Sequence, residues 1–149
     1  MHAAFLPLTP EAMDAVLVFM SRLYEQDGIT GYDAGRARGA TEELLANRDL
    51  GGAWLIQAEG LAIGYLVLTI GYSLELGGRF GLLDEFYIEE GWRGQGVGTE
   101  ALAFAESVCR ARGLGALRLE VGHGNIRALA LYRRFGFEVH DRHLMTKWL

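Results

Sequence analysis

The stretch Arg93-Gly94-Gln95-Gly96-Val97-Gly98 constrains this chain most, because it follows an apolar, strand-like run and opens a long amphipathic helical pattern. Three glycines in five residues let the backbone curl so that several N–H groups point at one spot. The positive end of the helix dipole points there too, so the loop is suited to a pyrophosphate and ties a fold to a ligand class. From Gly94 the spacing is G-x-G-x-G, with no Lys-Ser/Thr after it, which fits neither the dinucleotide fingerprint nor the P-loop. Taken alone, the loop reads equally well as a plain helix-entry turn.

The 149 residues are expected to form one domain, 1–149, large enough to bury a core without staples. Half of them are apolar, 22% are charged and only two are proline, the composition of a soluble globular chain. The single cysteine, Cys109, excludes an internal disulfide and a multi-cysteine zinc site, and its apolar helical setting suits a buried, inert thiol. No basic-then-apolar leader is present, and no apolar run approaches the ~20 residues of a membrane span, so a cytoplasmic location without membrane association is expected. A net charge of −5 argues against a nucleic-acid partner. Its distribution is uneven: residues 1–90 carry 5 Arg and 14 Asp/Glu, residues 91–149 carry 9 Lys/Arg and 5 Asp/Glu. A basic half holding the glycine loop suits an anionic cosubstrate, and an acidic half suits a cationic partner.

Along the chain, Ala3–Leu8 reads as a strand. Thr9-Pro10-Glu11 reads as a helix start, with the Thr9 hydroxyl as cap and proline at the first helical position. That helix is expected to reach about Tyr24, followed by a Gly-rich loop over Gln26–Gly39 and a helix near Ala40–Asn47. Trp54–Ala58 and Leu61–Tyr72 read as strands joined at Glu59-Gly60, and Gly77-Gly78 as the turn into a strand over Phe80–Glu89. The glycine loop and its helix run to Gly113. Leu117–Val121 then reads as a strand, Ile126–Phe135 as a helix, and Phe137–His140 and Leu144–Trp148 as the last two strands.

A second motif follows the strand at Leu117–Val121. Asn125 is placed to cap a helix, Ala128 allows close approach beside it, and Tyr132 lies two turns on along one face. Gly136-Phe137 ends the helix. Together the two motifs resemble the GNAT family of N-acetyltransferases, strongly over about Leu82–Phe137. In that family [Arg/Gln]-x-x-Gly-x-[Gly/Ala] holds the acetyl-CoA pyrophosphate, here Arg93, Gly96 and Gly98. The companion pattern Asn-x-x-Ala-x-x-Leu-Tyr-x-x-x-Gly-Phe is present as Asn125, Ala128, Leu131, Tyr132, Gly136 and Phe137. The resemblance implies an α/β (α+β) fold: a mixed, mostly antiparallel seven-stranded sheet with splayed central strands, flanked by about four helices.

The resemblance also implies a site. Acetyl-CoA, as cosubstrate and without a metal, would lie between Leu82–Ile88 and Leu117–Val121. The backbone near Phe86 and Ile88 would meet its pantetheine arm. The amides of Gly94, Gln95, Gly96, Val97, Gly98 and Thr99, with Arg93, would hold the pyrophosphate, and Asn125 and Tyr132 would close the other side. Arg133 or Arg134 would meet the 3′-phosphate, unless both are simply solvated. Tyr132 matches the family's general acid for the departing thiolate, with a backbone N–H near Ile88 at the oxyanion. Asp84 and Glu85 resemble, in reversed order, a carboxylate pair that serves the amine in the spermidine/spermine branch. Strand alternation sends them to opposite faces unless a bulge intervenes, and Glu85 is favoured as base. The four histidines, among them His123 and His140, are too scattered for a metal site. The expected activity is acetyl transfer, by direct attack in a ternary complex, to a primary amine of a small molecule. A protein N-terminus or lysine is the alternative acceptor, and a noncatalytic acyl-CoA-binding module the alternative class. Strand edges and the aromatic residues Trp92 and Trp148 suggest a homodimer.

Overall fold

The computed structural model describes residues 2–149. Five strands form one sheet in the order β1-β2-β3-β4-β5: β1 Ala4–Pro7, β2 Gly51–Ala58, β3 Leu61–Ser73, β4 Gly78–Ile88 and β5 Leu117–Leu119. The first four pair antiparallel, and β5 joins β4 in parallel through the crossover helix. Helices α1 Met13–Gln26 and α2 Ala34–Ala46 lie on one face, α3 Val97–Ala111 and α4 Ile126–Arg134 on the other.

This two-sided covering explains why β3 reads as a continuous apolar run rather than an alternating one. Tyr65 and Val67 pack toward α1, with Met13, Val16, Phe19 and Met20, whereas Ile63, Leu66 and Leu68 pack toward α3, with Ala101, Leu102 and Ala105. The β2–β3 turn at Glu59-Gly60 has both residues at positive φ, as a tight hairpin requires.

One irregularity positions the site. Val67 pairs with Glu85 but Leu68 pairs with Leu83, so Asp84 is an extra residue in β4. On either side of it the apolar residues must keep facing α3: Leu83 does so before the irregularity, Phe86 and Ile88 after it. Only by absorbing one residue as a bulge can β4 satisfy both stretches. Past Leu83 the β4–β5 ladder stops, leaving one edge of Asp84–Ile88 without a strand partner.

Several expectations are corrected. Among the described residues the sheet has five strands, not seven. Residues 137–140 and 144–148 form no ladder, and Val139, Leu144, Met145 and Trp148 remain exposed. Their alternation specifies a strand only where a matching edge exists, and β5 offers a ladder only three residues long. The Thr9 side chain makes no cap bond; Pro10–Ala12 is a 3-10 turn and α1 begins after it. The second helix starts at Ala34, because the Asp33 carboxylate accepts from the Arg36 N–H and caps it despite Gly35 and Gly39. Trp92 is half-buried against the core rather than exposed.

Candidate active site

The glycine loop is built by backbone demands. Gly94 and Gly96 have φ of 74° and 89°, the left-handed region that glycine adopts without strain. Gly96 is the residue before α3 and supplies no side chain to cap it, and the N–H groups of Gln95 through Thr99 find no backbone acceptor among the described residues. These are the orphan donors of a helix start, all on one side of the loop. A Cβ at Gly94 would stand 3.0 Å from the Arg127 guanidinium, so a cation from the first turn of α4 leans over the same loop. A curl of unpaired donors beside an arginine fits a pyrophosphate.

Arg93 is placed differently. Its Nε donates to the Ile88 carbonyl at 2.7 Å, one terminal nitrogen donates to Gln26 Oε1 at 2.6 Å, and the guanidinium lies over the Tyr87 ring. It therefore fastens the end of β4, and the loop that follows, to the end of α1. Arg133 and Arg134 lie exposed on α4. Arg127, which sequence reasoning did not single out, is the arginine at the loop. Its position two residues after the helix-capping Asn125 was the available signal. Arg127→Ala is expected to weaken CoA binding roughly tenfold or more, read by calorimetric titration with CoA.

Beyond the bulge lies a cleft of about 110 Å³ where β4 and β5 diverge. Asp84, Glu85 and Phe86 line it from β4, Asn125 and Tyr132 from α4, Asp27 from the end of α1, and Glu120 from beyond β5. The bulge brings both Asp84 and Glu85 to this one space. A larger groove of about 980 Å³ runs beside β5 and the C-terminal segment. It shares residues 119–122 and Tyr132 with the small cleft but contains neither Asp84 nor Glu85, so the two carboxylates and Tyr132 come together in the small cleft.

Asn125 accepts from the Ala128 N–H at 3.2 Å and starts α4, which aims Tyr132 at the cleft. The Tyr132 ring is braced edge-on by Phe137, with 5.8 Å between centroids. Its hydroxyl hydrogen-bonds to no other described residue and opens on the cleft. Burial, then the Asp27 charge, pushes its pKa above the ordinary phenol value, so it stays protonated at neutral pH.

Glu85 is held on both oxygens. Tyr65 donates to Oε1 at 2.8 Å, and Tyr24 donates to Oε2. Burial raises the Glu85 pKa, the two tyrosine hydrogen bonds oppose the rise, and the charges of Asp84 and Asp27 reinforce it. Asp27 and Asp84 are raised by burial too, although both residues remain partly open to water, which screens them. Raised carboxyl values mean that the folded state holds these protons more tightly than the unfolded chain. Their stabilising contribution is full below the unfolded carboxylate range and is lost as pH climbs through the folded values. Stability is therefore expected to fall as pH climbs from acid to neutral, and to fall less in Glu85→Gln than in the parent, read by thermal melts at the two pH values.

The site sets a loop of unpaired N–H donors near ionisable side chains, an arrangement that suits a phosphate-bearing donor and an ionisable acceptor. The model of the Acetyltransferase (GNAT) family matches residues 18–137, and the chain belongs to that family. An uncharacterised N-acetyltransferase of Methanocaldococcus jannaschii is 26% identical over 106 residues, which are 70% of this chain and 46% of that protein. The chain thus spans about half the length of that curated relative. An integron cassette protein from the mobile metagenome of Cole Harbour Salt Marsh is 32% identical, with a TM-score of 0.84 over 97% of this chain and 90% of that one. An aminoglycoside N-acetyltransferase, solved with a bisubstrate analogue of CoA and acetylneamine, has a TM-score of 0.84 at 16% identity over 100% of this chain and 99% of its own. At that identity the likeness is one of fold.

Among the described residues no three His, Cys, Asp or Glu side chains gather in a way that holds a metal ion. Nor, among the described residues, is any helix long and apolar enough to cross a membrane.

Proposed function

We propose that residues 1–149 act as one acetyltransferase domain that moves acetyl from acetyl-CoA to a primary amine of a small molecule, by direct attack in a ternary complex. The observation that carries this reading is the meeting of Glu85, Asp84 and Tyr132 in one cleft, with the glycine loop against the same helix α4 that carries Tyr132. Acetyl-CoA supplies an activated thioester. The N–H groups from Gly94 to Thr99 hold its pyrophosphate, with Arg127 over the loop and Arg93 fixing the loop in place. The free edge at Phe86 and Ile88 pairs with its arm, and Asn125 and Tyr132 line the opposite wall.

An amine is protonated near neutral pH, and only its neutral form is a nucleophile. Glu85 takes one N–H proton: that bond breaks and an O–H bond forms on the carboxylate. Asp84, which accepts no hydrogen bond from any described residue, draws the ammonium group into the cleft. The neutral nitrogen attacks the thioester carbon, so that the C–N bond forms and the C–S bond breaks. Tyr132 donates its O–H proton to the departing sulfur, which leaves as a thiol, and the surplus proton on the nitrogen passes to the Tyr132 oxygen to restore the hydroxyl. The carboxylate-lined, cation-free wall and the small size of the cleft favour a small cationic amine over a protein segment. The aminoglycoside enzyme's complex supports the same acceptor class, and the exposed Val139, Leu144, Met145 and Trp148 support a homodimer.

The test is a panel of polyamines, amino sugars and short peptides incubated with acetyl-CoA and read by mass spectrometry for acetylated product. Acetylation of small cationic amines ahead of peptides is expected. Acetylation of peptides alone would replace the small-molecule acceptor with a protein one.

A further inference from the structure

The double hold on Glu85 joins three segments that the sequence keeps far apart. Tyr24 comes from the last turn of α1, Tyr65 from the middle of β3, and Glu85 from the residue after the β4 bulge. Each tyrosine is itself fixed. Tyr24 meets the Tyr32 ring edge-on, with 5.6 Å between centroids, and the Tyr32 hydroxyl donates to the Leu17 carbonyl at 3.0 Å. Tyr65 is fully buried and stacks on Phe19.

We propose that Tyr24 and Tyr65 are positioning residues, which fix the Glu85 carboxylate toward the cleft and keep it ionised as the base; this rests on the role given to Glu85 under Proposed function. A carboxylate has lone pairs enough to accept one hydrogen bond on each oxygen and still take a proton from an amine. Two neutral donors are the suitable partners. An arginine in their place would stabilise the carboxylate but cancel the field that attracts an ammonium group. The titratable groups around Glu85 are Tyr24 and Asp27 from the end of α1, Tyr32 from the loop after it, Tyr65 from β3 and Asp84 from β4, with Glu120 and Tyr132 across the cleft. Burial and the two aspartates favour the protonated form, and the two hydroxyls are what oppose them. Both hydroxyls remain donors, since burial and Glu85 itself push the Tyr24 and Tyr65 values well above the phenol range.

The Glu85 titration is measured directly by ¹³C NMR on the full chain labelled at the glutamate carboxyl carbon, with Glu85→Gln assigning the resonance. Tyr24→Phe and Tyr65→Phe are each expected to raise its midpoint by roughly half to one pH unit. The acid limb of kcat/KM, measured with the fastest amine of the panel, is expected to move by the same amount, while KM for acetyl-CoA stays within about twofold. In the Glu85→Gln background, removing either hydroxyl is expected to have almost no further effect on rate. Should Tyr65→Phe fail to fold, the half-buried Tyr24→Phe carries the test alone. An unmoved midpoint, or a rate loss uniform in pH, would overturn the positioning role while leaving Glu85 as base. A fully active Glu85→Gln enzyme would overturn both.

Discussion

Tyr132→Phe is expected to lower kcat by about 10²–10⁴-fold while leaving CoA affinity close to that of the parent. The loss of one oxygen removes the proton destined for the leaving sulfur and nothing that holds the helix. The ring still packs against Phe137, and α4 still begins at the Asn125 cap. The hydroxyl has no bond within the described chain to lose, so its removal leaves no orphaned partner. Steady-state rates at saturating acetyl-CoA, beside calorimetric titration with CoA, separate the two quantities. A rate within a few fold of the parent would remove Tyr132 from the chemistry.

Gly64→Ala is expected to cost about 3 kcal/mol or more in stability, and with it the geometry of the glycine loop. Gly64 pairs with Ile88 at the end of β4. A Cβ there would stand 2.1 Å from the Tyr87 carbonyl oxygen and 3.1 Å from the Ile88 Cα, both backbone atoms. No rotamer relieves such a contact; β3 and β4 must separate. The Ile88 carbonyl is also where Arg93 fastens the loop, so the displacement passes straight to the anion site. Gly39→Ala is the matched control: it lies within α2 with open space around it, and alanine there is expected to add roughly 0.5–1 kcal/mol. Chemical denaturation of the two variants, with CoA titration of whatever folds, reads both effects. Equal stability of the two would show that β3 and β4 are free to separate at this end.

The parts of the site written in local backbone chemistry were legible in the sequence. Three glycines before an amphipathic run announce an uncapped helix start, and Asn125 through Phe137 announces a capped helix that ends at a glycine. The direction of Asp84 and Glu85 was not legible. It depends on a bulge that arises because apolar residues on both sides of Asp84 must face α3, and that requirement appears only once the sheet is assembled. The tyrosines on Glu85 were hidden for a related reason: Tyr24 and Tyr65 belong to no motif and meet the same carboxylate only once α1 and β3 are folded around it. The last two strands were over-read, because alternation at 137–140 and 144–148 names a face but not an edge to pair with.

Thiol release from acetyl-CoA, followed with and without a small primary amine, tests the enzyme most directly. Saturable, amine-dependent release is expected, reduced about 10²–10⁴-fold in both Tyr132→Phe and Glu85→Gln. Tight acetyl-CoA binding with no amine-dependent release across polyamines, amino sugars and peptides would contradict it and make the chain an acyl-CoA-binding module.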